Sequence, residues 1–167
     1  MNNLLADEKF SFMRDTDKEF IIAFNDQITR MGYDCGNRFS DGFCWGIFML
    51  VYTKTGIKSN KCYCRIYIRK EGIALRLYLS KVDDHRAYLE QAPEHIKTAF
   101  TGDWGNCGHC HNETEGVCRH RKTYCIDGNQ YEKCDGYTFE FWDTDAAKVP
   151  DYLALLNEFY PQKTRRA

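Results

Sequence analysis

The run Lys61-Cys62-Tyr63-Cys64-Arg65-Ile66-Tyr67-Ile68-Arg69-Lys70-Glu71-Gly72-Ile73-Ala74-Leu75-Arg76-Leu77-Tyr78-Leu79-Ser80 decides the fold. Up to Arg69 it alternates, with Cys62, Cys64, Ile66 and Ile68 on one face and Tyr63, Arg65, Tyr67 and Arg69 on the other. Side chains of a strand repeat every two residues, so this is an apolar face backed by a polar, aromatic one. After Lys70-Glu71-Gly72, Ile73, Leu75, Leu77 and Leu79 alternate with Ala74, Arg76, Tyr78 and Ser80. Two alternating runs joined by a short turn form an antiparallel hairpin. A two-residue turn at Lys70-Glu71 pairs Arg69 with Gly72, Tyr67 with Ala74, Arg65 with Arg76 and Tyr63 with Tyr78; a turn at Glu71-Gly72 slips the strands and leaves Arg65 and Arg76 diagonal neighbours on the same face. Upstream, Phe43 to Thr53 is apolar on both faces, as a central strand is, and extends the hairpin into a meander.

Helices flank this sheet. Thr16 with Glu19 forms a capping box, and Phe20, Ile21, Phe24, Ile28 and Met31 then recur at helical spacing before Gly32. The pattern predicts a helix over 17–31, preceded by a polar arm. Asp83 is placed to cap a helix running to about Gln91. Pro93 opens another that carries Ile96, Ala99 and Phe100 and stops at Gly102. Asp127-Gly128 predicts a hairpin turn between strands over 122–126 and 129–134. Tyr137–Trp142 reads as a further strand, and a helix over 150–160 closes the chain with Tyr152, Leu153, Leu156 and Phe159 as its buried stripe. The expected class is α+β: an antiparallel meander sheet with flanking helices and a Cys-rich, zinc-stapled insertion. The chain is expected to be a single domain over 1–167, with helix, sheet and short helices in 10–102, the zinc lobe in 103–136 and a closing strand and helix in 137–161.

Composition narrows the class of function. With 167 residues, 11 Phe, 11 Tyr and 3 Trp, the chain has ample material for a core, which excludes disorder. A net charge of −1 gives no global attraction to nucleic acid or anionic lipid. No stretch approaches the roughly 20 apolar residues of a membrane span, and the N-terminus has no apolar signal core, so a cytoplasmic protein is expected. The 9 cysteines are odd in number, which favours metal binding and buried thiols over a disulfide framework.

Cys107-Gly108-His109-Cys110 is a C-x-x-C knuckle that turns two thiolates toward one tetrahedral ion. Cys118 follows across Glu115-Gly116, and the hairpin around Asp127-Gly128 returns Cys134 toward it. Four soft ligands favour zinc, so Cys107, Cys110, Cys118 and Cys134 form the expected metal site. His109, His111 and His120 are alternatives to one of these cysteines, His120 foremost, and an iron–sulfur cluster uses the same four-thiolate chemistry. Cys125, near the hairpin tip, is left out. Cys35, Cys44, Cys62 and Cys64 are expected as core or edge residues, with Cys62 and Cys64, two apart on one strand, both pointing into the core. Cys-Gly-His-Cys also occurs as a redox motif in thioredoxin-like isomerases, but His111 to Gly116 lacks the helical periodicity that motif needs.

The run Cys107-x-x-Cys110, Cys118, Arg121-Lys122-Thr123-Tyr124, Ile126-Asp127-Gly128 and Glu132-Lys133-Cys134-Asp135-Gly136, followed by Asp151-Tyr152 and Glu158-Phe159-Tyr160-Pro161, resembles a C-terminal segment of small uncharacterised bacterial proteins. The likeness reaches loosely back to about Asp84. That group carries no established activity, and the resemblance implies only that the four cysteines act as a unit.

The second feature is the face carrying Tyr63, Arg65, Tyr67, Arg76 and Tyr78. Arginines directly opposite each other destabilise a sheet unless something neutralises them. A solvated face, with arginine stems over tyrosine rings, is the plainest account. Glu140 or Asp151, brought over by the closing elements, is another. A functional account is an anion platform, in which arginines grip a carboxylate or phosphate and tyrosines stack on a planar group. No Gly-rich phosphate loop, G-x-S-x-G or H-E-x-x-H motif is present. Asp83-Asp84-His85 coincides with a helix start, where Asp serves as a cap. The expected function is a non-enzymatic, zinc-containing binding or regulatory module for a small anionic or aromatic ligand or a protein partner. The alternatives are a single-stranded nucleic-acid or RNA-binding protein, which uses the same stacking chemistry, and an enzyme acting on a small anionic substrate.

Overall fold

The computed structural model describes residues 1–56, 61–102, 122–133 and 138–162. In chain order the elements are α1 (Asn2–Leu5), α2 (Asp15–Arg30), β1 (Tyr33–Asp34), β2 (Ser40–Asp41), β3 (Phe48–Lys54), β4 (Cys62–Arg69) and β5 (Gly72–Tyr78). There follow α3 (Arg86–Gln91), α4 (Glu94–Thr101), β6 (Lys122–Ile126), β7 (Asn129–Lys133), β8 (Thr138–Phe141) and α5 (Val149–Phe159). The class is α+β, with an antiparallel sheet and flanking helices. Among the described residues no helix is long and apolar enough to cross a membrane.

The main sheet runs β1-β3-β4-β5-β8, and β2 lies beside β1 along the outer edge of β3. All its pairings are antiparallel. Register sets the two faces row by row. Leu50, Ile66, Leu75 and Phe141 form one core row, and Tyr52, Cys64, Leu77 and Phe139 form the next. All eight are buried, under the stripes of α2 (Phe20, Ile21, Phe24, Ile28) and α5 (Tyr152, Leu153, Leu156, Phe159). Burial of each such aliphatic or phenyl group contributes roughly 1.5–3 kcal/mol, which is why the faces cannot slip by one residue. On the opposite face Met49, Tyr67 and Ala74 form one row, and Val51, Arg65, Arg76 and Glu140 the next.

Local chemistry explains where the expected elements shift. Helix α2 begins two residues earlier than the capping box suggests. Thr16 lies inside it, and the Arg14 Nε and Nη2 atoms each donate to the Asp17 carboxylate at 2.8 Å, fixing the first turn. The N-terminal arm is partly packed, with Leu5 and Phe10 buried and the Phe10 ring 4.5 Å from that of Phe39. Asp127 and Gly128 both take positive φ (50° and 74°), which matches the right-handed twist of the β6–β7 hairpin. Asp83 caps no long helix; a 3-10 turn over Val82–His85 precedes α3.

The largest departure is at 43–47. The strand expected from Phe43 begins only at Phe48, and Phe43–Trp45 forms a 3-10 turn with Phe43 at φ 51°. Gly42 and Gly46 approach so closely that a Cβ on Gly42 would collide with the Gly46 carbonyl oxygen, while one on Gly46 would sit 2.8 Å from the Ile68 carbonyl oxygen. Tight backbone contact, rather than apolar patterning, decides this segment.

Candidate ligand-binding face

The β4–β5 hairpin forms with the two-residue turn, so Arg65 lies directly opposite Arg76 and Tyr67 opposite Ala74. The two arginines share one face but not one environment. Arg76 is buried, and its Nε donates to Glu140 Oε1 at 2.7 Å, with Nη2 closing a second contact to the same oxygen. Glu140 faces it from β8, so the carboxylate comes from the neighbouring strand. Asp151, the other carboxylate considered, instead lies 3.1 Å from His95 Nε2. Burial works against the Arg76 charge, but Glu140 overrides it and holds the guanidinium above its ordinary range. The guanidinium also lies over the rings of Trp45 (4.2 Å) and Tyr67 (4.8 Å).

Arg65 has no such carboxylate among the described residues. Its Nη1 donates to Tyr67 Oη at 3.1 Å, and the same oxygen accepts from Arg76 Nη1 at 3.3 Å. One tyrosine oxygen therefore bridges two cations. The Arg65 guanidinium lies 5.5 Å from the Tyr78 ring centre, and its Nε is buried without an acceptor. It opens into a cleft of about 430 Å³ lined by Lys61, Cys62, Arg65, Tyr78, Ser80 and Tyr160. Burial pushes the Tyr78 hydroxyl up to about 12, with Tyr67 adding to the shift and Arg65 opposing it. Burial likewise pushes the Cys62 thiol up, against the pull of Arg65.

Of the five sequence-derived face residues, Arg65, Tyr67, Arg76 and Tyr78 come together and Tyr63 stands apart. The register shifts at Tyr52/Thr53, with Tyr52 opposite Cys64 and Thr53 opposite Cys62. Tyr63 is the unpaired residue of this bulge. Its ring packs 5.2 Å from Tyr33 and 4.9 Å from Tyr160, against the core. Cys62 takes the place in the cleft that strict alternation gives to Tyr63. The expectation that Cys62 and Cys64 both point into the core thus holds for Cys64 alone, which is fully buried. Lys61, Ser80 and Tyr160 were not singled out from sequence. Glu140 was legible as the polar side of an alternating strand; Trp45 carried no signal, because its place depends on the turn at 43–45.

The other groups read from sequence have structural partners. Asp83 Oδ1 accepts from Arg86 Nη2 at 2.8 Å and from the Cys125 amide at 3.0 Å, while His85 Nδ1 lies 2.9 Å from Glu158 Oε1. The expected zinc ligands Cys107, Cys110, Cys118 and Cys134, with His109, His111 and His120, lie outside the described residues. Cys35, Cys44, Cys62, Cys64 and Cys125 are free thiols. Among the described residues no group of three or more His, Cys, Asp and Glu side chains could hold a metal ion. Comparison of the chain with protein-family models, with curated proteins and with solved structures gives no match.

Proposed function

We propose that the chain is a non-enzymatic binding module whose Arg65 cleft takes a small anion carrying a planar group. One observation carries this reading: a half-buried guanidinium, without a carboxylate partner among the described residues, opens into a cleft walled by Tyr78 and Tyr160. Arginine stays charged, and its guanidinium presents N–H donors in a fixed geometry to a carboxylate or phosphate. The cleft volume falls within the range of small-molecule sites. Arg76 plays a different part, since its fork is taken by Glu140; it holds Tyr67 in place, and Tyr67 holds Arg65.

The four-cysteine zinc site belongs to the same proposal as a structural staple, with Cys107, Cys110, Cys118 and Cys134 as ligands. Knuckle spacing supports it. The register of the β6–β7 hairpin supports it too, because Lys122 lies opposite Lys133, which brings the two ends of the hairpin together. Four protein thiolates leave a zinc ion no open position, which fits a structural role.

Calorimetric titration with phenyl phosphate tests the binding reading. Saturable one-to-one binding is expected, about tenfold tighter than for inorganic phosphate, which is the worth of one good aromatic contact. Arg65→Gln should abolish it while leaving the melting temperature unchanged or slightly raised. Absence of binding in the wild type, or undiminished binding in Arg65→Gln, contradicts the reading. If oligothymidine binds instead, with steep salt dependence, the single-stranded nucleic-acid reading replaces it.

A further inference from the structure

At the opposite end of the β4–β5 hairpin lies a different surface. Among the described residues, the exposed large hydrophobics are Leu4, Phe12, Phe43, Trp45, Ile47 and Trp142, and the last four gather there. Phe43, Trp45 and Ile47 line one shallow depression with Arg69, Lys70 and Glu71. Arg69 ties Trp142 to the group, its guanidinium 4.2 Å from the Trp142 ring and its Nε donating to the Trp45 carbonyl at 2.6 Å.

Hydrogen bonds brace the turn at 43–47, the knuckle of this surface. Asp41 Oδ1 accepts from the Phe43 amide at 2.7 Å, the Trp45 amide donates to Gly42 O at 3.1 Å, and the Ile47 amide donates to Ile68 O at 2.8 Å. Gly42 and Gly46 lie where a Cβ would meet backbone, so the turn requires glycine at both positions. Its result is a phenylalanine held in left-handed backbone conformation, φ 51°, with 75% of its surface exposed. A bulky residue gains nothing locally from that conformation. Folding alone would favour a glycine or asparagine there, so the ring is displayed against the backbone's preference.

We infer that this knuckle is a two-fold interface between two copies of the chain. The charges on the rim argue for a second copy: Arg69, Lys70 and Glu71 line the depression and the Asp41 carboxylate holds the Phe43 amide, so the rim carries both signs. A two-fold axis through the knuckle sets Phe43, Trp45, Ile47 and Trp142 against their counterparts and brings Lys70 of one copy to Glu71 of the other. An all-acidic or all-basic partner meets like charge somewhere on this rim. With a net charge of −1, the copies repel little at long range. The four side chains expose about 400 Å² of apolar surface, the size of the largest patch on a typical monomeric protein, and such patches are often functional. That apolar area is about half of the roughly 800 Å² per partner of a standard interface, which suits a weak, concentration-dependent dimer. Aromatic residues and arginine at the centre, held in place before contact, are the composition of an interface hot spot.

Sedimentation velocity of the full chain, from about 2 to 200 μM, tests this. The mass should rise with concentration from 19.6 kDa toward twice that value. Phe43→Gly suits the positive φ, so it should leave the melting temperature of dilute protein unchanged or higher while weakening association at least ~10-fold. Lys70→Glu should also weaken association, and adding Glu71→Lys should restore it, because the exchanged pair is again self-complementary. A chain that stays monomeric throughout overturns the inference. So does a Phe43→Gly variant that associates as well as wild type, or one that melts at lower temperature when dilute. Failure of the charge exchange to restore association overturns the two-fold arrangement.

Discussion

Glu140→Gln probes the outward face where its charges are most tightly linked. The substitution keeps the shape of the side chain and removes the carboxylate that neutralises Arg76, whose side chain is 8% exposed while that of Glu140 is 14% exposed. Breaking a buried ion pair from one side costs about 3–5 kcal/mol, and the residual exposure of Glu140 favours the lower end, about 3 kcal/mol. Arg65 faces Arg76 across the hairpin, and both donate to Tyr67 Oη. At about 6 Å and an effective dielectric near 20, two like charges repel by about 3 kcal/mol. Part of the loss in Glu140→Gln is therefore this repulsion, no longer offset. Urea unfolding of the single and double variants separates the contributions. Glu140→Gln should lose about 3 kcal/mol, or about 6–12 °C in melting temperature for a chain of this size. Adding Arg65→Gln should recover about 1–2 kcal/mol of that loss, as a coupling beyond additivity. If Glu140→Gln costs less than about 0.5 kcal/mol, or the two changes simply add, the coupled charge row is refuted.

Alkaline pH should destabilise the fold. Burial raises the hydroxyls of Tyr33, Tyr52, Tyr124 and Tyr152, and that of Tyr78 to about 12. These folded values exceed the unfolded one near 10, so their contribution is complete below about pH 10 and is lost as pH rises toward 12. Absorbance at 295 nm should show the buried tyrosines ionising together with unfolding, and a fully folded protein with every tyrosine ionised would contradict this. Elemental analysis of protein purified without added metal should find one zinc per chain, lost in Cys118→Ser; a metal-free protein with freely alkylated cysteines would exclude the site. In native protein Cys62, in the cleft, should react with iodoacetamide while Cys64, in the core row, stays protected. Equal rates would place the bulge elsewhere.

How far the sequence carried depended on the range of the deciding contact. The β4–β5 pairing was legible because alternation and the short turn are local; a turn at Lys70-Glu71 or at Glu71-Gly72 fits the pattern, and the structure takes the first, with Cys64, Ile66 and Ile68 buried beside Leu75 and Leu77. The hairpin at Asp127-Gly128 was legible for the same reason. Phe43 to Ile47 was misread as strand because its apolar pattern is that of a strand, whereas the Gly42–Gly46 contact that breaks it exists only once the chain has folded. The exchange of Cys62 and Tyr63 had no local signal either; it follows from a bulge opposite Tyr52 and Thr53 on another strand. In the site, the opposed arginines could be read from the hairpin. That Glu140 neutralises one and not the other required the position of β8 beside β5.

The most direct test of the Arg65 cleft is the Nε–Hε cross-peak of that side chain in a ¹H–¹⁵N correlation spectrum, followed through a titration with phenyl phosphate. Arg65 Nε has no acceptor in the folded chain, whereas Arg76 Nε already donates to Glu140. The Arg65 cross-peak should shift progressively to saturation as the anion docks on the guanidinium, while the Arg76 cross-peak stays in place. An Arg65 resonance that does not move at saturating ligand, or one that moves no more than that of Arg76, would contradict the assignment of Arg65 as the anion-binding group.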